Sequence, residues 1–136
     1  MELIERRMAS RYDVNLLADV GLSNEEQLRL SVCNISATGM RIITSIENLV
    51  FLFPNQQREN IIDTIHLNVA VYLPEPFVKA DVIVGAVYTQ RLSHQQFSVG
   101  CRFERFLQNS ASVLADYLFS IANDDFQRNQ VIRISQ

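Results

Sequence analysis

Thr64-Ile65-His66-Leu67-Asn68-Val69-Ala70-Val71-Tyr72-Leu73 is the stretch on which the fold turns. Ile65, Leu67, Val69, Val71 and Leu73 alternate with Thr64, His66, Asn68, Ala70 and Tyr72. A period of two places one set on each face of a strand, so one face is built for burial. After the turn at Pro74-Glu75-Pro76 the period resumes, with Val78, Ala80, Val82 and Val84 set against Lys79 and Asp81. Beyond the break at Ser93-His94-Gln95, Phe97, Val99, Cys101 and Phe103 share a face opposite Ser98, Gly100, Arg102 and Glu104.

The same pattern runs upstream. Val14, Leu16 and Ala18 mark a first strand that opens near Tyr12 and ends near Gly21, and Ser23 to Glu26 form a turn. Leu28, Leu30 and Val32 alternate with Arg29 and Ser31 in a second strand over Gln27 to Cys33. A short polar link, Asn34 to Gly39, leads to a third over Met40 to Thr44, and residues 51–60 read as a loop or short helix. Six strands with short links predict a closed or nearly closed antiparallel β-barrel, a mainly all-β fold.

One segment changes period. From Ser110 to about Phe126, Val113, Leu114, Tyr117, Leu118, Ile121 and Ala122 recur at helical spacing, so an apolar stripe must pack on something. Asn109 or Ser110 can cap the first turn, while Asp124-Asp125 and the polar residues from Gln127 are expected outside it. The division expected is an arm over 1–11, a barrel over 12–106, a C-terminal helix over 107–126 and a tail over 127–136.

The chain has 136 residues, 48% apolar and 20% charged, which suits one globular domain. No apolar run is long enough for a membrane-spanning helix, and the acidic N-terminus is unlike a secretory signal, so a cytoplasmic location without membrane insertion is expected. The net charge of -3 disfavours long DNA or RNA as a partner. Eleven of the twelve basic residues are nevertheless Arg, whose planar fork pairs bidentately with a phosphate or a guanine edge. Cys33 and Cys101 have neither disulfide-framework nor zinc spacing and read as reduced thiols. His66 and His94 have no ligand-spaced companions, and no nucleophile elbow, P-loop or HExxH motif occurs. Neither an enzyme nor a cofactor or metal site is expected.

Two short patterns carry the functional reading. Arg7-Met8-Ala9-Ser10-Arg11 is an RxxxR preceded by Arg6, and Asn34-Ile35-Ser36-Ala37-Thr38-Gly39 is an NxSxxG. At this chain's residue frequencies about one RxxxR arises by chance, but only about 0.04 of the turn pattern with Asn or Asp in its first place. The turn is the informative one.

In this order and spacing the two patterns resemble the PilZ domain family of bacterial cyclic di-GMP (c-di-GMP) receptors. Val99-Gly100-Cys101-Arg102-Phe103 is similar to the family's closing GxxF strand. The resemblance covers most of the chain. It implies a six-stranded barrel whose mouth holds the dinucleotide, with Arg6, Arg7 and Arg11 on a flexible arm that wraps it. It further implies that Asn34 meets a guanine edge and Ser36 a phosphate or base. Gly39 would supply a positive φ or a close approach to the ligand.

The chemistry of these residues agrees with that implication. Arg donates bidentately to guanine O6 and N7, stacks on purines and clamps phosphates. An Asn in place of Asp offers a guanine one acceptor oxygen instead of two, which lowers the affinity expected. Around this set, Arg41 reads as solvent-facing with a phosphate contact as the alternative, Tyr88 as a core aromatic with base stacking as the alternative, and Gly100 equally as room for a bulky neighbour or as a ligand contact. The resulting expectation is a c-di-GMP receptor, monomer or homodimer, that signals to an effector protein by moving its arm. Two alternatives stand beside it. One is a PilZ-like interaction adaptor in pilus assembly or motility with weak or no nucleotide binding. The other is a small barrel for single-stranded nucleic acid, which calls for aromatics interleaved with basic residues.

Overall fold

The computed structural model describes residues 10–22, 26–53, 65–74 and 78–135, and only the backbone over 125–135. Arg6 and Arg7 lie outside the described residues. Six strands form: β1 Tyr12–Gly21, β2 Gln27–Ile35, β3 Gly39–Ser45, β4 Ile65–Leu73, β5 Val78–Arg91 and β6 Gln96–Phe106. Two helices accompany them, α1 Ile46–Leu52 between β3 and β4 and α2 Ser110–Ser135 after β6.

All pairings are antiparallel, and the sheet closes in the order β1-β2-β3-β6-β5-β4. Two three-stranded meanders are thus joined along two seams, β1 to β4 and β3 to β6. Closure leaves no free edge and puts one side chain of every alternating pair inside. Ala18, Val20, Val32, Ile35, Met40, Ile42, Val71, Val84 and Val99 fill that interior and are at most 1% exposed. Each strand periodicity read from the sequence becomes an inward row.

Irregularities lie where the alternation breaks. Cys33 is an extra residue in β2, since Val32 faces Ile42 while Asn34 faces Arg41. Val87 is an extra residue in β5, since Ala86 faces Cys101 while Tyr88 faces Gly100. A bulge of this kind re-aims the side chains beyond it. It also explains why the β5 pattern is clear only as far as Val84, although the strand runs on to Arg91.

The helices correct two expectations. Helical structure before β4 begins at Ile46 rather than Phe51, because the Ser45 hydroxyl caps it by accepting from the Asn48 N–H at 3.2 Å. The C-terminal helix continues to Ser135, through the stretch expected to be a tail. No Pro or Gly follows Phe106, so nothing in the sequence stops it.

The start of α2 is built into the barrel. Ser110 Oγ accepts from the Asp81 N–H at 2.8 Å, and the Leu107 N–H donates to Asp81 O at 3.0 Å. The Ser110 hydroxyl therefore docks α2 on β5 instead of capping its own helix. Leu114 and Tyr117 are buried against the barrel, with Val113, Leu118 and Ile121 beside them, which is the stripe read from the sequence. Burial pushes the Tyr117 phenol above its ordinary pKa.

Candidate ligand site at the β2–β3 turn

The polar link read in the sequence is a tight turn closed by its own serine. The Ser36 N–H donates to Gly39 O at 2.9 Å, while Ser36 Oγ accepts from the Thr38 and Gly39 N–H groups at 3.1 and 3.2 Å. Ser36 is fully buried. Its hydroxyl is spent on the backbone that a turn would otherwise leave unpaired, the common use of Ser at such positions.

Gly39 is needed for a reason beside the ligand approach expected of it. Its φ is not positive. A Cβ there would lie 2.2 Å from the backbone carbonyl oxygen of Cys101 on the neighbouring strand. The glycine lets β3 leave the turn directly against β6, where the Phe103 N–H donates to Thr38 O at 2.9 Å.

Arg11 comes down onto this turn. Its Nε donates to Asn34 Oδ1 at 2.5 Å and its Nη1 to Ser36 Oγ at 3.4 Å. The second arginine of the RxxxR and two residues of the NxSxxG therefore meet, across 23 to 25 positions of sequence. Asp13 joins them, because it faces Asn34 in the β1–β2 register and accepts from Asn34 Nδ2 at 3.3 Å. The Asn34 amide is thus held with its oxygen toward a cation and its nitrogen toward a carboxylate. Asp13 escaped the sequence reading, and its only signal was its place two residues after Arg11 at a strand start.

A cavity of about 520 Å³ opens beside the cluster, between the start of β1, Pro74 and the α2 residues Tyr117, Ile121 and Asp124, and Arg11 and Asp13 line it. Its size falls within the range of small-molecule sites. On the other side of Asn34 the structure overturns two expectations. Arg41 is half-buried rather than solvent-facing, and among the described residues its buried Nε has no hydrogen-bond acceptor. Tyr88 is 44% exposed rather than core. Gly100 is as read: a Cβ on it would lie 2.2 Å from Tyr88 Cε2, so the ring crosses it directly.

Chemically, the site gathers donors for an anion and mixed donor–acceptor groups for a base edge. Nothing in it resembles a nucleophile with its base. Among the described residues no group of three His, Cys, Asp or Glu residues is placed to hold a metal. Cys101 is buried and its thiol is pushed up to about 12, so it is unreactive at neutral pH. No described helix is long and apolar enough to cross a membrane.

Comparison with solved structures finds the same barrel. The Bacillus subtilis inhibitor of motility MotI (DgrA) superposes with a TM-score of 0.64 at 16% identity, over 88% of this chain and 52% of that one. The Klebsiella pneumoniae MrkH–c-di-GMP complex gives 0.62 at 18% identity, over 90% of this chain and 54% of that one. The Escherichia coli YcgR PilZ domain with c-di-GMP gives 0.58 at 13% identity, over 92% and 98%. The chain spans about half the length of MotI and MrkH. Among curated proteins no sequence match is found. The PilZ domain profile, however, matches residues 5–120, a span that takes in both motifs, all six strands and the start of α2, so the chain belongs to the PilZ domain family.

Proposed function

We propose that this protein is a c-di-GMP receptor whose N-terminal arginines close over the ligand and pass the signal to a protein partner. The observation that carries the reading is the contact of Arg11 with Asn34 and Ser36. It joins the two motifs at one point on the barrel. PilZ domains are receptors rather than enzymes, and the YcgR and MrkH structures contain c-di-GMP.

The physical logic follows from the partners of Arg11. Its guanidinium has five donor hydrogens, and two of its nitrogens rest on neutral oxygens. A phosphate is a stronger acceptor, because charge-assisted bonds are about twice as strong as neutral ones. The ligand would draw Arg11 from Asn34 and free the amide for a guanine edge. Arg6 and Arg7 would supply further cations from the arm, while Ser36 and Gly39 hold the turn against β6. Ordering the arm costs conformational entropy, which these contacts must exceed. The ordered arm then presents or hides a surface for the partner, in a cytoplasmic setting such as motility control.

Calorimetric titration of c-di-GMP into wild type and Arg7→Ala tests this directly. Saturable binding that weakens at least tenfold in the variant is the expected result. Undetectable binding to wild type at tens of micromolar would overturn the receptor reading.

A further inference from the structure

We propose that Asp13 decides which end of the Asn34 amide meets the ligand's base, and so makes the site select guanine over adenine. Asp13 is a positioning residue, acting through Asn34 rather than on the ligand. The inference rests on the c-di-GMP reading and deepens it.

A side-chain amide is ambiguous. It accepts at one end and donates at the other, and a half-turn about its last bond exchanges the two. Asn34 is held at both ends: Arg11 Nε donates to its Oδ1 at 2.5 Å, and its Nδ2 donates to Asp13 Oδ1 at 3.3 Å. Arg only donates and an ionised carboxylate only accepts, so both partners fix the same orientation. Once a phosphate draws Arg11 away, Asp13 is the partner that remains. The orientation matters because the two purines differ at their Watson–Crick edges, where exposed bases are read. Guanine presents N1–H and N2–H as neighbouring donors, which suit an outward oxygen. Adenine presents an acceptor at N1 beside a donor at N6, and needs an amide that turns its nitrogen to the base.

Three observations give Asp13 this role rather than general charge balance. It faces Asn34 directly across the β1–β2 pair, the placement at which cross-strand side chains meet. The ion pairs among the described residues are Arg29–Asp19, Lys79–Asp81 and Arg102–Glu104, so Asp13 is in none of them although Arg11 stands two positions away. Its carboxylate takes a neutral amide instead of the nearby cation. Asp13 also lines the same cavity as Arg11, and a carboxylate beside an anion site costs affinity, as devices that reject a wrong ligand do. The register further explains the residue at position 34. An Asp there would set two carboxylates opposite one another, a destabilising pair. Asn34 backed by Asp13 presents an outward acceptor without that repulsion.

The test compares c-di-GMP with cyclic di-AMP, which carries the same two phosphates, by calorimetry and competition on the full chain, with a melting curve for every variant. Loss of a charge alters phosphate binding alike for both ligands, so the ratio of their affinities isolates the base. Wild type should favour c-di-GMP. Asp13→Ala, at an exposed position, is expected to narrow the ratio about tenfold, within what a paired base contact discriminates. Combining Asp13→Ala with Asn34→Asp should restore the ratio, because a carboxylate has no donor end to present. A merely structural Asp13 would shift the melting temperature and leave the ratio alone. Equal binding of both ligands by wild type, an unchanged ratio in Asp13→Ala, or a narrowed ratio that Asn34→Asp does not restore would each overturn the inference while the receptor reading stands. If wild type binds neither dinucleotide, both fail.

Discussion

Two arginine clusters on the outside of the same barrel differ in how completely the protein satisfies them. On the β1–β2–β4 wall, Arg29 donates Nε to Asp19 Oδ1 at 3.0 Å and Nη2 to Asp19 Oδ2 at 3.2 Å. The Tyr72 hydroxyl donates to Asp19 Oδ2 at 2.6 Å, and the Arg29 guanidinium lies 5.2 Å from the Tyr72 ring centre. Carboxylate, phenol and cation complete one another there. On the Asn34 wall, Arg11 rests on neutral oxygens and Arg41 Nε has no acceptor among the described residues. A closed set of charges supports the fold. An open set, held in place by a glycine turn and two bulges, is suited to a ligand that brings its own charge.

The sharpest ways to break this contrast act on the turn itself. Gly39→Ala would drive a Cβ into the Cys101 carbonyl, and we expect a loss of roughly 2–3 kcal/mol in chemical denaturation. A Gly39→Ala protein as stable as wild type would mean that the β3–β6 contact is looser than described. Next in size, Arg11→Ala should weaken c-di-GMP binding by about 10- to 100-fold, the loss of one or two charge-assisted bonds, with a melting temperature close to wild type. Arg29→Met, on the completed wall, should leave c-di-GMP affinity within twofold and lower stability slightly. Equal losses of affinity from Arg11→Ala and Arg29→Met would erase the distinction between the walls.

The smallest effect is on pH. Hydrogen bonds from Arg29 and then Tyr72 hold the Asp19 carboxyl below its ordinary value. A depressed folded value stabilises above the unfolded value, near 3.8, and that contribution is lost as pH falls through the lower folded one. Asp19→Asn should therefore be less stable than wild type at neutral pH, with the gap closing in acid below about pH 4. The Tyr72 phenol is raised by its bond to Asp19, so its contribution is present below pH 10 and fades as alkali takes pH through the raised value. Both effects are small, because Arg29 is more than half exposed and salt screens the pair. Melting curves across pH for wild type and Asp19→Asn check this, and an unchanging gap would show that the pair does not titrate with folding.

The strands were legible because their signal is local. Alternation over β4 and β5 needs no knowledge of neighbours, and a single inward row follows from each run. The turn was legible because Asn, Ser and Gly at fixed spacing have a mechanical meaning, although Gly39 serves the approach of two strands rather than a positive φ. What stayed hidden depends on register. Asp13, Arg41 and Tyr88 are separated by as many as 75 positions of sequence, and only pairings set by single extra residues put them on one line. A one-residue slip points a side chain to the opposite face, and the extra residue at Val87 is why the alternation does not show Tyr88 facing outward. The length of α2 escaped for another reason: polar composition after Gln127 suggested an end, while no residue there breaks a helix.

Calorimetric titration of c-di-GMP into wild type and Arg11→Ala, each at low and high salt, examines the meeting of arm and turn most directly. Wild type should bind saturably and more weakly as salt rises, and Arg11→Ala should bind at least tenfold more weakly with a flatter salt dependence. Wild-type affinity in Arg11→Ala, at either salt, would contradict it.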